Sequence, residues 1–240
     1  MRHQIKIVLV GDGGVGKTSF VLSLYNYLVS ERDSKLSDVA LHTDKFSLSK
    51  ELTPEELKHY FSNNKNFEQE LKNLDRTKFT DFHVLKFKSF DDTYYFQIWD
   101  LQGQRFSSRH VYTSIHPLDL IGKIIIGNAS IILFFHDITA NSTFNELFRP
   151  AGYYATIQPL LTKNQKLFLL SNKIDGIKDM EIEKINLPSD IHFEDIIELS
   201  CLKQWNFIQL KHSLFKALDI TTFDDKIISS VENESQKLTS

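Results

Sequence analysis

The chain has 240 residues, of which 41% are apolar and 25% charged, so it can bury a full hydrophobic core and cannot be disordered throughout. Its 28 basic and 31 acidic residues give a net charge of -3. The basic residues do not collect in an arm or a stripe, which argues against a nucleic-acid partner held by phosphate contacts. A single cysteine, Cys201, excludes an internal disulfide and fits a reducing compartment.

Apolar runs that alternate with helical patterns predict a doubly wound α/β domain. The first run, 5–10, is rich in β-branched residues, as in a strand buried on both faces, and a glycine-rich loop and a helix follow it. Later strands are predicted at 82–87, 94–99, 130–135, 166–171 and 196–200. The first two of these flank an Asp91-Asp92 turn and are expected to form a hairpin. We expect one domain over 1–222 and a polar, flexible tail over 223–240.

The segment 31–76 interrupts this alternation, because it is too long for a plain loop in a compact domain. A first helix is predicted from Thr-Pro-Glu-Glu at 53–56, which supplies an N-cap, a proline at the first helical position and a capping-box glutamate. A second helix is predicted to be capped by Asn66 and to have an apolar stripe of Phe67, Leu71 and Leu74. The segment is therefore predicted to be an inserted helical hairpin. The sequence leaves open whether it covers a ligand, docks a partner or only lengthens a loop.

Between the first strand and its helix, the chain matches the phosphate-loop pattern G-x-x-x-x-G-K-[ST]. The residues are Gly11-Asp12-Gly13-Gly14-Val15-Gly16-Lys17-Thr18, followed by Ser19. Glycines allow successive backbone N–H groups to face an anion, and the start of the helix adds a partial positive charge. Lys17 would neutralise the β- and γ-phosphates, and the Thr18 hydroxyl would be a ligand for Mg²⁺. The pattern predicts a nucleoside triphosphate site but does not select the base.

A second candidate set follows the strand at 94–99. Asp100 stands at the tip of this strand, where a carboxylate beside the phosphate loop can hold Mg²⁺, often through a water. Gly103 would let a backbone N–H approach a γ-phosphate, and Gln104 could orient an attacking water. Because the motif is short, an ordinary aspartate at the end of a strand is the alternative interpretation.

A third set follows the strand at 166–171 and reads Asn172-Lys173-Ile174-Asp175. The Asp175 carboxylate can accept hydrogen bonds from guanine N1–H and the exocyclic amine, whereas adenine would leave it unpaired. Asn172 and Lys173 would brace the loop and cover the base. After the next strand, backbone N–H groups could meet the guanine carbonyl at Ser200-Cys201-Leu202. A solvated polar turn is the alternative interpretation of the third set.

The order and context of these three sets resemble a small GTPase of the Ras superfamily, and Rab-like members most closely. Rab-like proteins carry a threonine four residues before an Asp-Phe pair, and then a hairpin into a Gln-Ile-Trp-Asp strand. Here Thr77 precedes Asp81-Phe82 by that interval, and the strand sequence recurs at 97–100. The resemblance covers roughly residues 4–30 and 77–220.

This resemblance implies a three-layer G domain of the P-loop NTPase type, with a six-stranded, mostly parallel sheet, one antiparallel edge strand and the inserted helical hairpin. It implies a switch that binds GTP or GDP with Mg²⁺ and hydrolyses GTP. Thr77 would complete the Mg²⁺ site in the GTP state, and Gln104 would be the catalytic glutamine. The implied nucleotide contacts are 11–19 and Gly103 for the phosphates, Asn172, Lys173 and Asp175 for guanine, and Ser200, Cys201 and Leu202 as the last base contact. Effectors, an exchange factor and an activating protein are the expected partners.

The chain departs from the family pattern in both switch regions. The insertion falls in the switch I region, and the segment after Gln104, in the switch II region, is longer than in Rabs. Arg105 stands where the usual motif has glutamate, and Leu202 stands where it has lysine, although Lys203 is next. A nucleotide-binding scaffold with little hydrolysis is therefore a second hypothesis.

Two further hypotheses are weaker. An ATP-dependent P-loop kinase would leave the Asn172–Asp175 motif without a purpose. Arg76, just before Thr77, could supply an arginine to the protein's own active site, but its spacing to Thr77 differs from the pattern required, and a solvated arginine is favoured.

The sequence also predicts a cytoplasmic protein with no membrane anchor of its own. The longest apolar stretch, 124–135, is too short to span a bilayer. The start leads directly into a strand-like run, position 2 is Arg2 where myristoylation needs glycine, and the tail has no cysteine to prenylate. Any membrane contact would then go through a partner protein.

Overall fold

The computed structural model describes residues 1–30, 36–43, 56, 64–74, 80–101, 103, 124–150, 152–177, 187 and 191–220. Within these residues, the strands are β1 (Arg2–Gly11), β2 (Leu36–His42), β3 (Thr80–Ser89), β4 (Asp92–Leu101), β5 (Ile131–Asp137), β6 (Lys166–Asn172) and β7 (Asp195–Leu199). The helices are α1 (Lys17–Ser30), α2 (Asn64–Lys72), α3 (Asn141–Phe148), α4 (Tyr153–Ile157) and α5 (Phe207–Ala217). Short 3-10 turns occur at Gln158–Leu160 and Ile174–Gly176.

All seven strands form one sheet in the order β2-β3-β4-β1-β5-β6-β7. The adjacent strands β4, β1, β5, β6 and β7 all run parallel to one another, whereas β3 is antiparallel to both of its neighbours, β4 and β2. The α/β class and the mostly parallel sheet are therefore confirmed. The predicted count of six strands is wrong, and so is the antiparallel edge strand, because β3 is the antiparallel strand and β2 covers its outer side.

The additional strand, β2, lies inside the segment predicted as a helical hairpin, so that prediction is wrong for residues 36–42. Its pairing with β3 shifts register between Ser37 and Ala40, and Asp38 there has a φ of 52°. This bulge breaks the alternation of inward and outward side chains that a sequence pattern relies on.

The second predicted helix of the insertion is present as α2. It begins at Asn64, so the predicted cap at Asn66 is wrong. Its predicted stripe does face the protein: Phe67 is 3% exposed, and Leu71 and Leu74 pack against the same core. Of the first predicted helix, only Glu56 is described, and the predicted tail at 223–240 lies outside the described residues.

The hydrophobic core lies on both faces of the sheet, which places it between two layers of helices. Alternate residues of β1 point to opposite faces, with Ile7 and Leu9 in one cluster and Val8 and Val10 in the other. Helices α1 and α5 contribute to the first cluster, and α3 and α4 to the second. None of the helices in the described part of the chain has the length and apolar character needed to cross a membrane.

Candidate functional site

The three predicted motifs meet at the carboxyl end of β1. The parallel strands all have their carboxyl ends at the same end of the sheet. Strand β1 lies where the connections change direction, with β4 on one side of it and β5 on the other. In open α/β sheets, the crevice at such a position is the usual ligand site. The loop after β1 occupies this crevice, with the ends of β4, β6 and β7 around it.

The phosphate-loop lysine is held inside the protein. Lys17 is 6% exposed, and its Nζ donates hydrogen bonds of 2.8 Å to the carbonyl oxygens of Gly11 and Asp12. Burial lowers the pKa of Lys17, while the negative charges of Asp100 and Asp12 act in the opposite direction. The ammonium group is therefore positioned by backbone carbonyls at the bottom of the loop.

Thr18 and Asp100 bring two oxygens together beside this lysine. The Thr18 hydroxyl donates to the Asp100 carboxylate at 2.5 Å, and Asp100 is fully buried. The pairing of β1 with β4 places Leu9 opposite Asp100, which fixes the height of the carboxylate relative to the loop. A hydroxyl and a carboxylate are hard oxygen ligands of the kind that Mg²⁺ prefers.

This pair fits a magnesium ion whose other ligands come from phosphate and water. The described residues contain no group of three or more His, Cys, Asp or Glu side chains arranged to hold a metal by themselves. Magnesium is commonly bound by one or two protein groups together with substrate phosphates, and Thr18 and Asp100 could supply such protein ligands.

Gly103 packs directly against the phosphate loop. A Cβ atom at this position would lie 2.2 Å from the Asp12 carbonyl oxygen and 2.5 Å from Lys17 Nζ, so no side chain fits there. The predicted proximity of Asp100 and Gly103 to the phosphate loop is thus present in the structure. Gln104, Thr77 and Arg76 lie outside the described residues, and their roles stay predictions.

Asn172 joins the phosphate loop to the loop after β7. Its Nδ2 donates to the Val15 carbonyl oxygen at 2.8 Å, and its Oδ1 accepts from the Cys201 backbone N–H at 3.0 Å. Gly16 leaves room for this arrangement, because its φ is 100° and a Cβ would lie 2.2 Å from Asn172 Nδ2. The bracing role predicted for Asn172 matches these contacts.

The Lys173 side chain is held by an aspartate to which the sequence assigned no role. Lys173 Nζ lies 2.6 Å from Asp137 Oδ2, and Thr139 donates to Oδ1 through its backbone N–H and its hydroxyl. Burial disfavours the Asp137 carboxylate, but the hydrogen bonds from Lys173 and Thr139 outweigh burial and hold its pKa below the ordinary value. The sequence feature that could have predicted this role is the position of Asp137 at the end of β5, the strand next to β6.

Ser200 orients the carboxylate proposed to read the base. Its hydroxyl donates to Asp175 Oδ1 at 2.5 Å and accepts from the Lys203 backbone N–H at 3.0 Å. The next residue, Cys201, is buried, and burial raises the pKa of its thiol. Its carbonyl oxygen accepts from Ser23 at 2.8 Å, which ties this loop to α1. Leu202, the last predicted contact, is only partly buried.

The insertion reaches the same loop through a contact that the sequence does not reveal. Glu68 of α2 lies 2.7 Å from Lys203 Nζ, and Phe67 beside it is buried in the core. The two charged residues are 135 positions apart, so no local pattern links them. Helix α2 therefore lies next to the loop that carries Ser200 and Cys201.

The chain matches no protein-family model and no curated protein.

Proposed function

We propose that this protein binds GTP and GDP with Mg²⁺, hydrolyses GTP to GDP and phosphate, and acts as a molecular switch. The observation that carries the proposal is the convergence of three motifs around one crevice. Lys17 and Thr18 lie beside Asp100, and Asn172 connects the phosphate loop to the loop that carries Ser200. A chance match to three short motifs would not be expected to bring them into contact.

At the phosphate end, the ligand would be bound mainly by the backbone. Helix α1 begins at Lys17, so its first N–H groups and its partial positive charge face the phosphates. Lys17 would exchange part of its contact with the carbonyls of Gly11 and Asp12 for the phosphate oxygens. Thr18 and Asp100 would hold Mg²⁺, which neutralises charge on the β- and γ-phosphates.

At the other end of the site, Asp175 would select guanine. Its carboxylate can accept from N1–H and from the exocyclic amine, two donors that adenine does not present together. The Ser200 hydroxyl fixes the orientation of this carboxylate before the base arrives. Lys173, held by Asp137, would lie over the base.

For hydrolysis, the resemblance supplies the remaining groups. Gln104 would orient a water for in-line attack on the γ-phosphorus, and Thr77 would complete the Mg²⁺ site. The bond from the γ-phosphorus to the β–γ bridging oxygen breaks, so GDP leaves with the electron pair. The reaction is expected to be slow alone, because an arginine from an activating partner typically adds roughly 10³–10⁵ to the rate.

A second candidate function is a GTPase-like scaffold that binds nucleotide with little hydrolysis or switching. The observation that favours it is the anchoring of the insertion in the switch I region. Strand β2 pairs with β3 along the edge of the sheet, and α2 is fastened by Phe67 and by the Glu68–Lys203 ion pair. Equal partner binding in the GDP and GTP forms would support the scaffold.

The first test identifies the nucleotide released by denaturing freshly purified protein and measures GTP and ATP competition. Guanine nucleotide and a strong preference for GTP are expected. Asp175→Asn should weaken GTP binding at least about 100-fold, because an amide N–H replaces an acceptor facing two donors. The same variant should gain affinity for xanthosine triphosphate, whose C2 carbonyl accepts that N–H.

Asp91→Asn is the matched control, since it makes the same change at an exposed turn between β3 and β4. It should leave both affinities unchanged. Similar affinity for ATP and GTP, or no effect of Asp175→Asn, would contradict the proposed selection of guanine.

A further inference from the structure

A buried tyrosine donates a hydrogen bond to the backbone of Gly103, the glycine that packs against the phosphate loop. Tyr153 is 2% exposed, and its hydroxyl donates to the Gly103 carbonyl oxygen at 2.5 Å. The two residues are 50 positions apart. None of the motifs that predict the nucleotide site includes Tyr153.

The break between α3 and α4 brings Tyr153 to this position. Helix α3 ends at Phe148, and Pro150 has no N–H with which to continue the helix. The Gly152 N–H instead donates to the Arg149 carbonyl oxygen at 2.7 Å, and α4 begins at the next residue. The ring of Tyr153 then packs in the core cluster that α3 and α4 form with the sheet, which leaves its hydroxyl directed at Gly103.

Gly103 is thereby held by two contacts. It packs against the Asp12 carbonyl and Lys17 Nζ so closely that a Cβ would collide with both. In addition, its carbonyl oxygen accepts a hydrogen bond from the Tyr153 hydroxyl. Glycine has unusually wide freedom in φ and ψ, so a hydrogen bond to its carbonyl removes more freedom here than it would at another residue.

We propose that Tyr153 is a positioning residue for the γ-phosphate. This inference rests on the proposed function, in which the Gly103 N–H approaches the γ-phosphate. Gly103 packs against the phosphate loop and its carbonyl is held by Tyr153, so the two contacts together limit the positions that its N–H can take. GDP has no γ-phosphate, so the contribution of Tyr153 is specific to the GTP form.

The test is Tyr153→Phe, which keeps the buried ring and removes only the hydroxyl. The dissociation constant of GDP should stay within about twofold, while that of a non-hydrolysable GTP analogue should rise about 3- to 10-fold, as expected for one lost hydrogen bond. The single-turnover rate of GTP hydrolysis should fall as well. Melting temperature and titrated active fraction show whether the variant is folded.

Tyr154→Phe is the matched control, because this neighbouring tyrosine contacts the rings of Phe134 and Phe148. It should change neither dissociation constant. If Tyr153→Phe weakens GDP and the analogue by the same factor, or weakens neither, the inference is overturned. If the unaltered protein binds neither nucleotide, the proposed function itself fails, which is a separate outcome.

Discussion

The two ends of the candidate site are built in different ways. At the phosphate end, Gly16 and Gly103 have no room for a side chain, because a Cβ would collide with Asn172 Nδ2 at Gly16 and with the Asp12 carbonyl oxygen at Gly103. At the base end, polar side chains hold one another in pairs, Lys173 with Asp137 and Ser200 with Asp175. The phosphate end therefore depends on the absence of side-chain atoms, and the base end depends on the presence of particular ones.

The largest effect is expected from Lys17, the cation proposed to contact the phosphates. Lys17→Met should weaken binding of GDP and GTP by roughly 10²–10⁴, because charge-assisted hydrogen bonds to the phosphates contribute about 1.5–3 kcal/mol each. Titration with a fluorescent guanine nucleotide measures the dissociation constant of each variant. Lys211→Met is the control, since Lys211 is buried to a similar extent, 8% exposed, but lies on α5. Equal losses of nucleotide affinity in the two variants would contradict the proposal that Lys17 binds the phosphates.

The contact between the two ends is tested by two alanine substitutions in one loop. Gly16→Ala should destabilise the protein by about 3 kcal/mol or more, because it adds a positive-φ strain and a collision with Asn172. Gly14→Ala should cost only about 1–2 kcal/mol, since it has the φ strain but nothing within 4 Å of the added atom. Chemical denaturation measures both free energies of unfolding. Equal costs would show that Gly16 and Asn172 do not make the close approach described.

The base end should also give the protein a pH-dependent stability, through His136. This residue is 3% exposed and its Nε2 lies 2.7 Å from the Ser171 hydroxyl. Burial lowers the pKa of His136 from 6.5 to about 4, although Asp137 acts in the opposite direction. Between these values the unfolded chain binds a proton that the folded protein does not, so stability falls as the pH falls.

From pH 7 to pH 5, this histidine should remove about 2 kcal/mol from the free energy of unfolding. His136→Gln should lose that part of the pH dependence, as measured by denaturation at each pH. His212→Gln, at an exposed position of α5, should keep the full dependence. Parallel pH profiles for the unaltered protein and His136→Gln would contradict the burial of a neutral imidazole.

The site was predictable where its chemistry is local. The phosphate loop and the Asn172–Asp175 motif each follow a strand, and the residue types that predict phosphate and guanine binding lie within a few positions of one another. The contacts of Tyr153 with Gly103, and of Glu68 with Lys203, were not predictable, because they join positions 50 and 135 residues apart. Pro150 and Gly152 predict the break between α3 and α4 that places Tyr153. They do not predict which residue the Tyr153 hydroxyl contacts.

By itself, the sequence determined the α/β class, the six main strands and the positions of Lys17, Asp100 and Asn172 at or after the ends of three of them. The hydrophobic periodicity and the positions of glycines depend on residues close together in the chain, so strands, helices and loops can be predicted from them. The tertiary structure decided that β2 covers the outer side of β3 and that α2 lies against the loop after β7. An edge-strand pairing and a surface ion pair both depend on which distant segment of the chain lies next to them. In addition, the bulge at Asp38 interrupts the alternation of apolar and polar residues by which a strand is predicted from sequence.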